Sequence, residues 1–296
     1  MKKKVISALL ALTMVMSFAS CSQGGGKGSR DRDNGERHHD EEEDDDRDDD
    51  KDRDDSKGNK NADEGYFTFD RDGTGINGLT DEGKEQETLV IPAGYEIKFT
   101  LSGAESKAKH VEFESDDDID LKYLFAGADN LESVELPANL TKLPPIDSCE
   151  NLKEITIPKG VTEIPDVCFF NDQSLVTVTI LGDITKIGKS AFNQCYSLEN
   201  INLPDSLAEI DDNAFGKCTS LKTVTLPKGL KAVGLNAFVP RKDDVTNFIV
   251  PEEMELEDWS SYSFDQLNEY KVKVVKGSWA DIHFDEVFKG EAVKEY

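Results

Sequence analysis

The residues with the most obvious capacity for chemistry are cysteines. Cys149, Cys195 and Cys218 fall at matching places of a recurring pattern, and Cys168 falls at another place of it. In a secreted chain an even number of thiols suggests a disulfide framework, and Cys195 with Cys218 is the pair it would join. No C-x-x-C pair is present to grip a metal. A cysteine locked to a repeat position behaves as a small buried apolar residue, so buried free thiols are the expectation.

A second candidate is "DRDGTGINGLTD", Asp70 to Asp81, with acidic residues at places one, three and twelve and glycine at six, as in a calcium-binding loop. Place five is Thr74, Ile76 comes one place early and no helical pattern flanks the stretch, so a glycine-rich hairpin turn is expected. Of the four histidines, His38 and His39 lie in a polar run, while His110 and His283 stand alone. The chain contains no H-E-x-x-H, no G-x-S-x-G and no phosphate-binding glycine loop. The expectation is a protein without catalytic residues, cofactor or metal.

What positions these residues is a repeat. Leu131, Leu152, Leu175, Leu198 and Leu221 start units of 21, 23, 23 and 23 residues with the pattern L-x-x-[VI]-x-[LI]-P-x-x-[LVI]-x-x-[ILV]-x-x-x-A-F-x-x-C-x-[SN]. Positions four and six, such as Ile201 and Leu203, are two apart and point to one face of a short strand. The proline ends that strand, Leu207 and Ile210 return the chain along the core, and Ala214-Phe215 with Cys218 reads as a helical or 3₁₀ turn closing the coil. Asn130, Asn151, Ser174, Ser197 and Ser220 end the units and can bond to turn backbone. One unit cannot bury its apolar side alone, so each stacks on the next. The fold class expected is a solenoid of about 23 residues per coil with short parallel strands and β-rich caps.

The pattern, with "A-F-x-x-C" at this period, resembles the BspA-like, Treponema-type leucine-rich repeat family of bacterial surface proteins, over roughly Ala108 to Pro251. "FTFDRDGTGINGLTDEGKEQETLVIPAGY" is similar to the family's N-terminal strand unit and "YKVKVVKGSWADIHF" to its closing segment. The resemblance implies an extracellular solenoid used for attachment or recognition, with no catalytic residues to carry over. Two departures stand out: the unit from Leu131 is two residues short and carries Pro144-Pro145, which suggests a local kink, and Leu181 replaces a proline.

The outward strand positions form two columns: Ser133, Glu154, Thr177, Asn200, Thr223 and Asn247, and beside them Glu135, Thr156, Thr179, Asn202, Thr225 and Ile249. They are small and mostly polar, suited to cross-strand ladders, and hold no aromatic or arginine anchor. This face is the candidate binding surface, although a purely structural ladder explains it as well. Trp259 and Trp279, with Tyr262, Phe264 and Tyr270, fit the core of a C-terminal cap.

The N-terminus has the form of an export signal, with Lys2 to Lys4, an apolar stretch from Val5 to about Met16, and small residues up to Cys21. "FASC" resembles the lipobox of bacterial lipoproteins, with Phe18 in place of the usual leucine. The resemblance implies an acylated Cys21 that anchors the chain to a membrane, the alternative being ordinary cleavage and release. Gly24 to Asn61 holds no apolar residue, and Asp40 to Asp55 is an unbroken charged run with thirteen acidic and three basic members. Such a segment reads as a disordered acidic tether, reaching about 130 Å at roughly 3.4 Å per residue; loose binding of divalent cations is its sharper alternative. The net charge of -27 excludes a broad nucleic-acid footprint.

The expected organisation is a signal peptide over 1–20, lipidated cysteine and tether over 21–61, an N-terminal cap over 62–107, repeats over 108–251 and a C-terminal cap over 252–296. The expected partners are a membrane, through the lipid, and a host protein, glycan or cell-wall polymer. The competing expectation is a structural spacer of the envelope without a discrete ligand.

Overall fold

The computed structural model describes residues 64–103, 105–238, 247–254, 270–288 and 292–296. The signal, Cys21, the tether, Trp259, Tyr262 and Phe264 lie outside the described residues.

The described residues wind into a parallel β-solenoid. One ladder contains the strands Thr88–Ile91, His110–Phe113, Ser133–Val134, Glu154–Ile157, Thr177–Ile180 and Asn200–Ile201 as a six-stranded sheet. A four-stranded sheet follows with Thr223–Thr225, Asn247–Ile249, Tyr270–Lys273 and Ala292–Glu295. The parallel pairing thus extends on both sides of 108–251, to Thr88 upstream and Glu295 downstream. It also passes unbroken through the short unit, where Ser133 pairs with His110 and with Glu154.

A second parallel ladder runs along the return path through Glu163–Ile164, Lys186–Ile187, Glu209–Ile210 and Ala232–Val233. The short unit contributes no strand to it. Its counterpart there is Lys142–Leu143, and the bond that would join it to Glu163–Ile164, equivalent to Gly188 N–H to Ile164 O, would have to come from Pro165, which has no backbone N–H to donate.

Between the ladders the core repeats itself. Val111, Val134, Ile155, Val178 and Val224 are buried from one side, and Ile164, Ile187, Ile210 and Val233 from the other. At the closing turns Phe169, Phe192, Phe215 and Phe238 form a column of near-parallel rings 5.1–5.2 Å apart, and Phe248 meets the last ring edge-on. Identical residues at one position of a coil that advances by one strand spacing stack of necessity.

The closing segments are successive turns rather than helices. Three of them carry two left-handed residues four apart: Val167 and Asn171, Ser190 and Gln194, and Asn213 and Lys217. Those conformations interrupt the run of equal dihedrals that a helix needs, while bonds from Asn193 N–H to Ser190 O, from Cys195 N–H to Phe192 O and from Leu198 N–H to Cys195 O turn the chain at and after them.

Much of the acidity in the repeats is structural. Asp118, Asp166, Asp205 and Asp212 each accept the backbone N–H of the residue 23 places on, at Thr141, Lys189, Lys228 and Leu235. The amides of Asn130 and Asn151 reach instead to the coil before, donating to Ser106 O and Asp129 O. The unit-ending asparagines therefore stitch neighbouring coils rather than their own turn.

At the N-terminal end Phe67–Phe69 and Gly75–Leu79 form an antiparallel hairpin, with Glu96–Ile97 parallel to its second strand. Its turn is the acidic, glycine-rich stretch read above. Asp70 Oδ1 accepts from Thr74 and Gly75 N–H, Asp72 Oδ1 accepts from the Thr74 hydroxyl, and Lys98 Nζ lies 2.7 Å from Asp70 Oδ2. Lys98 and these donors hold the Asp70 carboxyl well below the usual carboxylate range. An ammonium group thus holds the carboxylate that would open a calcium loop.

Candidate functional site

The outward columns lie as their spacing requires. Ser133 pairs with Glu154, Glu154 with Thr177, Thr177 with Asn200 and Thr223 with Asn247. Beside them Thr156 pairs with Thr179 and Thr225 with Ile249. Glu135, Glu154, Thr156, Thr177, Thr179, Asn200, Asn202, Thr223 and Thr225 are exposed. Asn247 is half-buried, and its amide donates to Lys222 O at 3.0 Å, so it seals the edge of the face instead of presenting a group. The result is a flat, small-side-chain polar surface.

A surface with more varied chemistry lies near the N-terminal hairpin and has no repeat signature. A groove of about 690 Å³ is lined by Tyr95, Glu96, Lys98, Asp117, Asp120 and Tyr123 among others. A smaller hollow of about 370 Å³ shares Asp118, Ile119, Asp120 and Lys122 with it and continues toward Pro144 and Pro145. The segment between them is fixed to the next coil by Asp118, whose two oxygens accept the Thr141 N–H and hydroxyl. Tyr123 is 57% exposed, and Lys122 Nζ sits 5.0 Å from its ring centroid.

The charges of this groove are pinned as ions. Thr141 holds the Asp118 carboxyl below the usual range, and Lys122 does the same for Asp120. Asp70 and Glu96 push Lys98 above its ordinary value. A general acid needs a carboxyl raised toward neutrality, and these groups are shifted the other way. The arrangement suits contact through an aromatic ring and fixed charges, not proton transfer.

The cysteines are structural. Cys149, Cys168, Cys195 and Cys218 are buried free thiols, and burial pushes all four well above the ordinary range. Each Sγ meets a backbone carbonyl of the preceding coil, as Cys195 does Phe169 O at 3.0 Å. The thiolate needed for nucleophilic attack is therefore suppressed. His110 bonds to Ser133 Oγ at 2.8 Å, and His283 stacks on Trp279 at 4.4 Å. No group of three or more His, Cys, Asp or Glu side chains fit to hold a metal ion occurs among the described residues.

Comparison with known proteins agrees with this geometry. Residues 146–271 match the BspA type leucine rich repeat region in six copies. Among solved structures the chain is similar to a leucine-rich-repeat protein of Treponema pallidum, at 29% identity and a TM-score of 0.36, covering 40% of this chain and 57% of that one. It is also similar to a leucine-rich-repeat protein from Bacteroides ovatus, at 17% identity and a TM-score of 0.42, covering 77% and 74%. A leucine-rich cell surface protein from Faecalibacterium prausnitzii matches at 23% identity and a TM-score of 0.34, covering 70% and 42%. No curated protein matches. The chain spans 57% of the length of the Treponema protein. The phenylalanine column and the buried thiols thus lie in the stretch, residues 146–271, that carries BspA-type leucine-rich repeats.

Proposed function

We propose that this protein is an exported, lipid-anchored binding module of a bacterial surface, which recognises a glycan or protein without chemistry on it. The observation that carries the reading is the groove lined by an exposed Tyr123 ring together with the side chains of Glu96, Lys98, Asp117 and Asp120. An aromatic ring with one open side and ionised neighbours contacts the apolar face of a sugar while carboxylates accept its hydroxyls. The BspA-type repeats of residues 146–271 support the same reading.

A second reading, a spacer of the envelope without a tight ligand, is favoured by the strand face, whose small side chains offer no anchor. The test is a screen of the full mature protein against glycan, matrix-protein and cell-wall arrays, repeated with Tyr123→Ala. Saturable binding that falls at least tenfold in the variant is expected. A folded protein that binds nothing, or binds equally without the ring, gives the spacer reading the field. Mass spectrometry of the mature N-terminus should find acyl chains on Cys21, and an unmodified cysteine would make the protein a secreted one.

A further inference from the structure

The column of Cys149, Cys195 and Cys218 has a fourth member, since Asp172 stands 23 residues from both Cys149 and Cys195. In the three cysteine coils the thiol donates to a carbonyl of the preceding coil: Cys149 to Phe125 O at 3.1 Å, Cys195 to Phe169 O at 3.0 Å and Cys218 to Phe192 O at 3.1 Å. Asp172 is 0% exposed. Its Oδ1 accepts the Cys149 N–H at 2.8 Å, and its Oδ2 is buried without a partner.

No cation compensates it. The titratable groups acting on or from this carboxyl are Asp147, Cys149, Cys168 and Cys195, none of which carries positive charge. A buried carboxylate with an empty oxygen is strongly disfavoured. A carboxylic acid carries no charge to desolvate, and its Oδ2–H is a donor at the place where the array otherwise sets an S–H. Cys195 and Cys218 reach the carbonyl 26 residues before them, and that count from Asp172 leads to Ile146, which holds the phenylalanine place in the short unit.

We propose that Asp172 is a neutral, proton-donating acid in the folded protein, standing in for the array's thiol at the joint between the short unit and the coil from Leu152, and that losing its proton to solvent loosens this joint. Burial first, and then the Asp147 charge, push the Asp172 carboxyl well above the ordinary range. The sign follows. The folded state holds a proton that the unfolded state releases at the ordinary carboxylate value, so this contribution to stability is complete below that value and is lost as pH rises to the folded one. The loss is about tenfold in the folding constant for each pH unit inside that window. Asp70, Asp118, Asp120 and Asp281, held below the ordinary range, act with the opposite sign and at lower pH.

The test is denaturant unfolding of the full mature chain across pH, for the wild type and for Asp172→Asn, whose amide keeps an acceptor and a donor whatever the pH. The expected result is a ratio of folding constants, wild type over variant, that falls about tenfold per pH unit above the ordinary carboxylate value and then levels. Parallel profiles would overturn the proposal. Should the amide variant fail to fold, hydrogen exchange of wild type replaces it. Protection of the Cys149 amide, corrected for intrinsic rate, should fall with rising pH while that of Cys195 and Cys218 holds, and three amides moving together would overturn the idea.

Discussion

Val167 sits with φ of 53° and is 48% exposed. A β-branched residue is poorly suited to the left-handed region, and the equivalent places in the next three coils carry Ser190, Asn213 and Asn236 at similar φ. Asparagine tolerates that conformation far better. Because the valine gives up little core packing, Val167→Asn should stabilise the protein by about 1 kcal/mol. Thermal unfolding of the two proteins side by side measures this, and a lower midpoint in the variant would show that the valine is held by contacts worth more than its strain.

At the scale of the coil, the phenylalanine column makes neighbouring units share energy. Phe192 lies between Phe169 and Phe215 with rings 5.1 and 5.2 Å away. Phe192→Ala should cost about 3–5 kcal/mol, the usual range for emptying a buried aromatic site. A double-mutant cycle of Phe192→Ala with Phe215→Ala should show a coupling of about 0.5–1.5 kcal/mol beyond burial. The pair Phe169→Ala with Phe238→Ala, three coils apart, should be additive. Equal coupling in both cycles would mean that the solenoid responds as one block and not coil by coil. The column and both strand faces were legible in the sequence, because five leucines and a recurring A-F-x-x-C fix the coil length and the inward residues together. The second ladder was not, since strands of two residues such as Lys186–Ile187 are too short to show alternation. Asp172 was missed for another reason: an aspartate among polar neighbours reads as a surface residue, and only its place in the cysteine column marks it as buried. The groove was equally hidden, because Tyr95 lies in the N-terminal cap and Tyr123 in the stretch before the first regular unit at Leu131.

For the molecule as a whole, stability is a sum of coils and their interfaces, and the ends bear the largest exposure. The strand Asn247–Ile249 is covered by Tyr270–Lys273, and Phe248 and Val250 beneath them are buried. Removing residues 270–296 should uncover both side chains at about 1.5–3 kcal/mol each. Lower thermal stability and binding of an apolar dye are expected, and an unchanged midpoint would mean that the coil ending at Val250 is self-sufficient.

The bonds between coils have a further consequence, for inheritance. Each aspartate at Asp166 or Asp212 accepts from the unit 23 residues on, and each closing cysteine donates to the unit before. An extra 23-residue copy inserted inside the array would meet the same acceptors and donors on both sides, so its interfaces would be satisfied on arrival. Unequal recombination within the gene can therefore lengthen or shorten the array without new adaptation. Each added copy advances it by one strand spacing of about 4.8 Å, which makes the copy number a molecular ruler.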